Sequence, residues 1–421
     1  MFTFIHAADI HLDSPLRGLE LAEDAPLDQI RGATRRAFDN LVELAIGEHV
    51  AFVLIAGDLY DDDWKDFNTG LFFNQRMVRL KEAGIKVFIV SGNHDAASQI
   101  SKTLRLPDNV HLFSTRKPET LILEELEVAI HGQSFASRSV TEDLSGNFPR
   151  AVGKHFNIGL LHTALTGREG HAPYAPCTLD GLKAKGYHYW ALGHVHQREV
   201  VNETPWIVFP GNIQGRHIRE TGSKGCTLVT VDGGEVTQIE HQPLDVLCWQ
   251  RCLVDVSDCQ NVDEVYEQTQ ACLEKALAAG DGRPVIARLE LHGSSPVHQK
   301  LQAQGAYLSE EFRNLALDLG GQGLWLERVR FKTREQLDLE TFMQSDEALG
   351  SLVKNLLELD LAAKSLHDID PEIDAFLNKL PPELRSGEDP FDPTADEQWQ
   401  ELRTDIQNLL VAQLLESGGA P

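Results

Sequence analysis

Three features are missing from this sequence, and each absence excludes a class of protein. No run approaches the roughly 20 consecutive apolar residues that a membrane-spanning helix needs. No Cys-x-x-Cys pair occurs among the six cysteines, which argues against a structural zinc site and favours reduced, partly buried thiols. No basic segment precedes a long apolar one at the start, so Met1–Ala8 is interpreted as a core strand rather than an export signal. These absences predict a cytoplasmic protein without membrane contact.

Positive charge is also scarce. The chain has 38 Lys plus Arg against 64 Asp plus Glu, a formal net charge of −26. As a whole, such a protein repels a nucleic-acid backbone. Any contact with DNA is therefore expected to be local, assisted by metal ions, or shared with a more basic partner. The acidic residues are densest in residues 345–421.

Short apolar runs alternate with helical patterns in the first half of the chain, which predicts α/β layers with largely parallel strands. The predicted elements are strands at 2–7, 51–56, 86–90, 156–161, 189–192 and 206–209, helices at 27–46 and 68–84, and a hairpin at 226–240. Because 421 residues are too many for one ordinary core, two or three domains are expected. Residues 1–245 are predicted to form the first.

The rest of the chain predicts two further parts. Residues 246–344 form a small α/β domain, whose predicted elements are a strand at 251–256, a helix at 262–279, a strand at 284–292, a polar stretch, and a strand at 324–332. Residues 345–421 form an acidic tail with two amphipathic helical patterns and a linker between them. The leucine stripe of the last pattern either packs on its own domain or docks on a partner, and docking is favoured.

Five short motifs of Asp, Asn and His follow predicted strands of the first domain. They are Asp9-Ile10-His11, Gly57-Asp58, Gly92-Asn93-His94-Asp95, His162 and Gly193-His194-Val195-His196. Ligands at the carboxyl ends of strands converge in one crevice of an α/β sheet. Oxygen and nitrogen ligands suit borderline divalent ions such as Mn²⁺, Fe²⁺, Co²⁺, Ni²⁺ or Zn²⁺. The motifs together predict a two-metal phosphoesterase.

The expected metal centre has a bridging carboxylate and separate terminal ligands. Asp58 is the predicted bridge, because Gly57 lets the backbone turn sharply out of its strand. Asp9, His11 and one histidine of the Gly-His-x-His pair complete one metal site. Asn93, His162 and the other histidine of that pair complete the second. By itself His162 would be interpreted as a buried structural histidine, but the presence of the four other ligand motifs favours a metal ligand.

A hydroxide held between the two metals is the expected nucleophile for in-line attack at phosphorus. His94 is the predicted general acid, since it follows a ligand without being one. Asp95 is expected either to orient His94 or to cap the following helical turn. Arg216 and His217, in a Gly-rich loop, either hold the substrate phosphate or stabilise a turn. Asp61 is interpreted as one of a run of solvated acids.

These motifs resemble those of the calcineurin-like metallophosphoesterases. Within that family the chain is most similar to the SbcD-type nuclease subunits of DNA repair complexes, and Ala8–Pro15 and Phe209–His217 are similar to their YhaO-like branch. The resemblance covers residues 1–245 well, the second domain loosely, and the tail only by architecture. It implies a layered αββα core with a small α/β capping domain and a helical C-terminal tail.

The resemblance also implies roles for single residues. Four would bind one metal, usually Mn²⁺: Asp9, His11, Asp58 and His196. Four would bind the other metal: Asp58, Asn93, His162 and His194. His94 would be catalytic. The capping domain would contact DNA, the C-terminal helices would dock on the coiled-coil base of an SMC-like ATPase, and two phosphoesterase domains would form a homodimer.

The sequence therefore predicts a DNA phosphodiesterase of DNA repair, a 3′-to-5′ exonuclease that also cuts single strands or ends as an endonuclease. One alternative is a phosphomonoesterase or small-molecule phosphodiesterase on the same scaffold, since fold does not determine substrate. Another is a regulatory subunit of an ATPase. Asp13 stands where nuclease relatives usually have glycine, which predicts a carboxylate beside the site that disfavours a bulky duplex.

Overall fold

A computed structural model describes most of the first three-quarters of the chain. The described residues are 1–14, 30, 32–61, 67–97, 105–165 and 174–336, with 402, 406 and 410 beyond them. Of the predicted acidic tail, Leu402, Ile406 and Leu410 are described, and all three are helical. The remaining predictions for residues 345–421 lie outside the described residues, as do the first residues of the predicted helix at 27–46.

Strands and helices alternate as the sequence predicts in the first domain. The described strands are β1 Phe2–Ala7, β2 Phe52–Ala56, β3 Lys86–Val90, β4 Val110–Leu112, β5 Glu119–Leu123, β6 Val128–Gly132, β7 Phe156–His162, β8 Tyr189–Gly193, β9 Glu199–Glu203, β10 Trp206–Phe209, β11 Gly225–Asp232, β12 Glu235–Pro243, β13 Cys248–Asp255, β14 Val285–Ser295 and β15 Leu324–Glu335. The described α-helices are α1 Ala33–Gly47, α2 Phe67–Glu82, α3 Asn93–Ala97, α4 Leu179–Lys183, α5 Val262–Ala279, α6 His298–Ala303 and α7 Gly305–Gly320.

Two six-stranded sheets form the centre of the fold. The first has the order β12-β11-β1-β2-β3-β4 and the second β5-β6-β7-β8-β10-β9. Strands β1 to β4 pair in parallel, and so do β6, β7, β8 and β10. Antiparallel strands β11, β5 and β9 flank these parallel blocks. Parallel neighbours place their carboxyl ends on the same edge of each sheet.

Alternation of side chains along β1 shows how the layers stack. Ile5 belongs to a core cluster with Phe38 and Phe73 of α1 and α2. Its neighbour Phe4 points the other way and packs in a cluster with Ile158 of the second sheet. The outer face of the second sheet is covered by a third cluster that contains Trp190 and residues of the loops around α4. The predicted layered αββα arrangement is confirmed.

Contacts divide the described chain into two compact units. Of the described residues, the first unit comprises those within 1–253, 269–290 and 309–330, and the second comprises those within 254–268, 291–308 and 331–336, with 402, 406 and 410. The first unit holds both large sheets and most of a three-stranded sheet in the order β13-β14-β15. Among the described residues, no helix combines the length and apolar character needed to cross a membrane.

Two helices occupy the region that was predicted to be a polar stretch. Helices α6 and α7 lie between β14 and β15. Within the first unit, α7 buries Phe312, Leu315 and Ala316, three and four residues apart on one face. The prediction of a polar connection was wrong, because Phe312, Leu315 and Ala316 recur at helical spacing among the polar residues of this segment.

His6 makes the stability of the fold depend on pH. The ring is fully buried in β1, with Nδ1 2.9 Å from the Tyr189 hydroxyl and Nε2 3.1 Å from the Leu192 carbonyl oxygen. Burial lowers the pKa of His6 to about 3. The unfolded chain therefore binds one more proton than the folded one between about pH 6.5 and 3. As the pH is lowered through that window, we expect the contribution of His6 to the free energy of unfolding to fall by about 1.4 kcal/mol per pH unit.

The measurement is urea unfolding of metal-free protein at several pH values between 7.5 and 5, for the wild type and His6→Gln. Glutamine keeps a polar side chain but does not titrate. The difference between the two slopes isolates His6 from the other histidines. Equal slopes in both proteins would contradict the assignment.

Candidate metal centre

The predicted ligands meet where strands of both large sheets end. Asp9 follows β1, Asp58 follows β2 and Asn93 follows β3, all at the carboxyl edge of the first sheet. From the second sheet, His162 ends β7, while His194 and His196 follow β8. The two sheets thus supply ligands from opposite sides of one crevice, in the position that the sequence predicts for the site.

The predicted ligands form two groups with the geometry of metal ligands, and a third group of the same kind joins His11 to Asp61 and His94. Asp9, His11 and His196 offer ligand atoms that all lie within 4.8 Å of one another, and so do Asp58, His162 and His194. We name these the Asp9 group and the Asp58 group. The Asp58 carboxylate lies between them, since its Oδ2 is 3.4 Å from His162 Nε2 and 3.9 Å from His11 Nε2.

Asn93 belongs beside the Asp58 group. Its side-chain Oδ1 lies 3.0 Å from His162 Nε2, and the side chain is buried. All seven predicted ligands are therefore in one crevice. Their binding of metal stays a prediction that this arrangement supports.

The backbone is strained where it carries the ligands. Asp9, His11, Asp58 and His194 have φ values of 51°, 46°, 53° and 102°, in the region that non-glycine residues rarely adopt. Hydrogen bonds hold these turns: Asp9 N–H donates to the Gly57 carbonyl and His11 N–H to the Asp58 carbonyl, each at 3.0 Å. Strain of this kind persists only where surrounding structure maintains it, and it concentrates at functional sites.

Two motif glycines leave room for His162. Gly57 has φ 94°, and a Cβ there would overlap the His162 Nδ1. A Cβ on Gly193 would overlap the carbonyl oxygen of Ala56 and come within 3.0 Å of the same nitrogen. The glycines that precede the ligands in the motifs thus let two loops approach the imidazole closely.

Main-chain N–H groups orient the two carboxylates. Both oxygens of Asp9 accept from the His194 N–H, at 3.1 and 3.0 Å. Asp58 Oδ1 accepts from the His94 N–H at 3.0 Å, which leaves Oδ2 directed toward the histidines. Each carboxylate is therefore held before any ion binds, and a held ligand loses less conformational entropy on binding.

The histidines present the nitrogen that a metal requires. Nδ1 of His162 donates to the Ala56 carbonyl oxygen at 2.9 Å, Nδ1 of His11 to Asp61 at 2.8 Å and Nδ1 of His196 to Glu220 at 2.6 Å. In each ring Nε2 is thereby left to supply the lone pair when a metal binds, the usual arrangement of metal-binding histidines. Nε2 of His11 is buried with no hydrogen-bond partner among the described residues. The donor set fits divalent cations.

Electrostatics in the crevice favour added positive charge. Burial acts to lower the pKa of His162, but the charges of Asp58 and Asp9 and a hydrogen bond to Asp58 outweigh it and raise this pKa to about 9. Burial and the nearby Arg216 lower the pKa of His11 to about 3, so this ring is neutral at physiological pH. A neutral imidazole beside two carboxylates matches the needs of a bound divalent ion.

His94 lies at the rim of the crevice. Its ring stands edge-to-face with His11 at a centroid distance of 4.9 Å, and Nδ1 is 3.6 Å from Asp61 Oδ1. The side chain is 27% exposed, unlike the fully buried His11 and His162. A half-exposed imidazole next to both ligand groups is placed to contact a substrate.

Asp95 is buried and contacts two loops. Its Oδ1 accepts from the Tyr60 N–H at 2.9 Å and its Oδ2 from the Gly92 N–H at 3.1 Å. Burial and the charge of Asp58 raise its pKa to about 6. Asp95 therefore ties the loop after β2 to the loop after β3, whereas its predicted role in orienting His94 stays a prediction.

Arg216 and His217 lie close to the Asp9 group, and Glu220 contacts both. Glu220 Oε1 is 3.1 Å from Arg216 Nη2 and 3.5 Å from His217 Nε2. Burial, above all, lowers the pKa of His217 to about 4. Contact of these two residues with a phosphate stays a prediction.

Asp13 occupies a different place from the one predicted. Its carboxylate forms a two-point ion pair with Arg35 at 2.6 and 2.5 Å and accepts from the Thr69 hydroxyl at 2.5 Å. These partners lie on α1 and α2. Arg35 thus neutralises the charge of Asp13 and draws it toward the helices, while the effect of Asp13 on a duplex stays a prediction.

Glu220 was not among the predicted site residues, and Asp61 was predicted to be one of a run of solvated acids. Glu220 has no ligand motif around it, and its only signal is that it follows the Gly-rich loop 210–217. Asp61 stands in a run of three acids that reads as solvated surface. Both carboxylates are instead directed at ligand histidines.

Such a centre, at the carboxyl edges of two stacked sheets, defines a metal-dependent phosphoesterase. Residues 2–198 match the calcineurin-like phosphoesterases, and residues 249–334 match the middle domain of the metallophosphoesterase YhaO. The uncharacterized metallophosphoesterase YhaO of Bacillus subtilis (strain 168) is 36% identical over 369 residues, which span 86% of this chain and 88% of the relative. The chain therefore belongs to the calcineurin-like phosphoesterase family, which uses a centre of two divalent metals.

More distant relatives are DNA double-strand break repair proteins called Mre11. The protein of Sulfurisphaera tokodaii is 25% identical over 370 residues, which span 84% of this chain and 87% of the relative. The protein of Sulfolobus acidocaldarius is 22% identical over 391 residues, which span 88% of this chain and 95% of the relative. The likeness thus extends beyond the phosphoesterase core.

Proposed function

We propose that this protein is a two-metal phosphodiesterase that cleaves DNA during repair, as a 3′-to-5′ exonuclease that also cuts single strands or ends. The observation that carries the proposal is the Asp58 carboxylate between two ligand groups, with His94 at their open side. DNA as the substrate is supported by the similarity to the Mre11 proteins over most of both chains.

The two ligand groups and His94 have different roles in the proposed reaction. The Asp9 group would hold one divalent ion, and the Asp58 group with Asn93 would hold the other. When bound, two such ions supply Lewis-acid stabilisation of phosphoryl oxygens and an activated water at neutral pH. His94 donates a proton to the leaving alkoxide, the usual task of a histidine general acid. The family leaves the metal open, and we propose Mn²⁺.

The proposal includes an SMC-like ATPase partner that binds residues 345–421. Leu402, Ile406 and Leu410 are each helical and stand at intervals of four residues, the spacing of one helical face, and Ile406 and Leu410 are exposed. Exposed apolar side chains in this register are typical of a helix that docks into a groove. We also propose a cytoplasmic location, which the six free cysteines support, and a homodimer.

The test is Mn²⁺-dependent cleavage of end-labelled single-stranded and duplex DNA, with His94→Ala as the control. We expect stepwise shortening from the 3′ end that needs the metal and is lost in the variant. Bis-p-nitrophenyl phosphate and p-nitrophenyl phosphate are assayed alongside, and the diester should be the better substrate. Faster hydrolysis of the monoester, without DNA cleavage, would replace the proposal with a phosphomonoesterase.

A further inference from the structure

The two histidines of the Asp9 group are each backed by a carboxylate. Nδ1 of His11 lies 2.8 Å from Asp61 Oδ1, and Nδ1 of His196 lies 2.6 Å from Glu220 Oε1. Glu220 is buried, and Asp61 is nearly so. A carboxylate on Nδ1 orients the ring and makes Nε2 a stronger donor to a metal.

Arg216 lies between these two carboxylates. Its Nη2 is 3.1 Å from Glu220 Oε1 and its Nη1 is 3.6 Å from Asp61 Oδ1, while the side chain is only 13% exposed. One guanidinium thus reaches both acids and balances their charge. Two buried carboxylates that close to each other would otherwise repel.

Glu220 is itself held from the other side. Its Oε2 accepts from the Arg216 main-chain N–H at 2.7 Å and from Asn212 Nδ2 at 2.8 Å. Lys224 fixes the main chain of the ligand, since its Nζ donates to the His196 carbonyl oxygen at 3.0 Å. The Gly-rich loop of residues 210–217 therefore forms the support for this carboxylate.

The Asp58 group has a different support. Nδ1 of His162 donates to the main-chain oxygen of Ala56 at 2.9 Å, within β2. A main-chain carbonyl in a central strand stays in place whichever side chains surround it. The two ligand groups thus differ: charged side chains position the histidines of one, and a strand positions His162 of the other.

We propose that Asp61, Glu220 and Arg216 are positioning residues that set the metal affinity of the Asp9 group and leave that of the Asp58 group unchanged. The proposal rests on the part of the proposed function that assigns two metal sites, and it is independent of DNA as the substrate. It gives Arg216 a positioning role in place of contact with a substrate phosphate. Metal loading then depends on the loop that carries Arg216.

The test measures metal binding directly. Metal-free protein is titrated with Mn²⁺ by calorimetry, and the number of bound ions is counted by electron paramagnetic resonance. The wild type should bind two ions. In Glu220→Gln and in Asp61→Asn one site should weaken by about 10–100-fold, as for other residues that orient metal ligands, while the second keeps its affinity.

Glu327→Gln is the matched control. Glu327 is equally buried and pairs with Arg288 in the three-stranded sheet, so its loss removes a buried acid without touching the ligands. It should bind both ions as the wild type does. Circular dichroism of every variant shows whether the fold is kept. Equal weakening of both sites in a folded Glu220→Gln protein, or unchanged binding in both variants, would overturn the proposal.

Arg216→Gln separates positioning from phosphate binding. A positioning role predicts a changed Mn²⁺ affinity at one site and an unchanged KM for bis-p-nitrophenyl phosphate at saturating Mn²⁺. The reverse pattern, unchanged metal binding with a raised KM, would make Arg216 a substrate contact and sink the proposal. A wild type that binds two ions but leaves DNA intact would refute only the proposed substrate. A wild type that binds fewer than two would remove the shared premise.

Discussion

His94→Gln is expected to lower the turnover of DNA by about 10²–10⁴-fold, the usual contribution of a general acid, while two metals stay bound. The metals stay because the contact from residue 94 to Asp58 comes from the main-chain N–H, which glutamine keeps. The ring itself stands at the rim of the crevice, 27% exposed. Its loss therefore removes proton donation rather than ligand geometry.

Substrates with different leaving groups distinguish a loss of proton donation from a loss of ligand geometry. A nitrophenolate departs without a proton, so bis-p-nitrophenyl phosphate should lose much less activity than DNA in His94→Gln. The measurement is kcat for both substrates, together with a Mn²⁺ titration of the variant. Equal losses on both substrates would show that His94 acts on phosphate binding or on the metals, and not as the acid.

Asp58→Asn is expected to abolish tight binding at both metal sites and to lower activity by about 10³-fold or more. Asp58 Oδ2 is close to His162 of one group and His11 of the other, so this change removes a charge that both groups share. A two-metal clamp supplies several kcal/mol of transition-state stabilisation, and each 1.36 kcal/mol corresponds to a tenfold change in rate.

The matched control is Asp39→Asn, which breaks the ion pair with Arg76 between α1 and α2. That protein should bind both ions and keep its rate. Metal content after dialysis and the rate on bis-p-nitrophenyl phosphate are measured for each variant. A full complement of two ions in Asp58→Asn would show that Asp58 is not the bridge and would require another carboxylate in that place.

Local patterns in the sequence account for the ligands. Asp9, Asp58 and Asn93 each follow an apolar run, and parallel strands bring such positions to one edge. The layered core followed from the same alternation and from the resemblance to a known family. Helix α7 was not predicted from the sequence, although Phe312, Leu315 and Ala316 are buried at helical spacing.

The contacts behind the ligands could not be predicted. Asp61 is 50 residues from His11, and Glu220 is 24 residues from His196. Nothing in the local sequence marks an acid as the partner of a distant imidazole. Asp13 illustrates the same point, since its neighbours in sequence suggest a place at the site, whereas Arg35 draws its carboxylate toward α1.

The sequence by itself determined which residues are available as ligands, their order along the chain and their position at strand ends, because these follow from local backbone periodicity. Only the tertiary structure decided which nitrogen of each histidine faces the crevice, which acids support His11 and His196, and where the charge of Asp13 lies. Those features depend on side chains brought together from distant segments. The distances between such side chains depend on how whole layers pack against one another, and a short sequence motif does not contain that information.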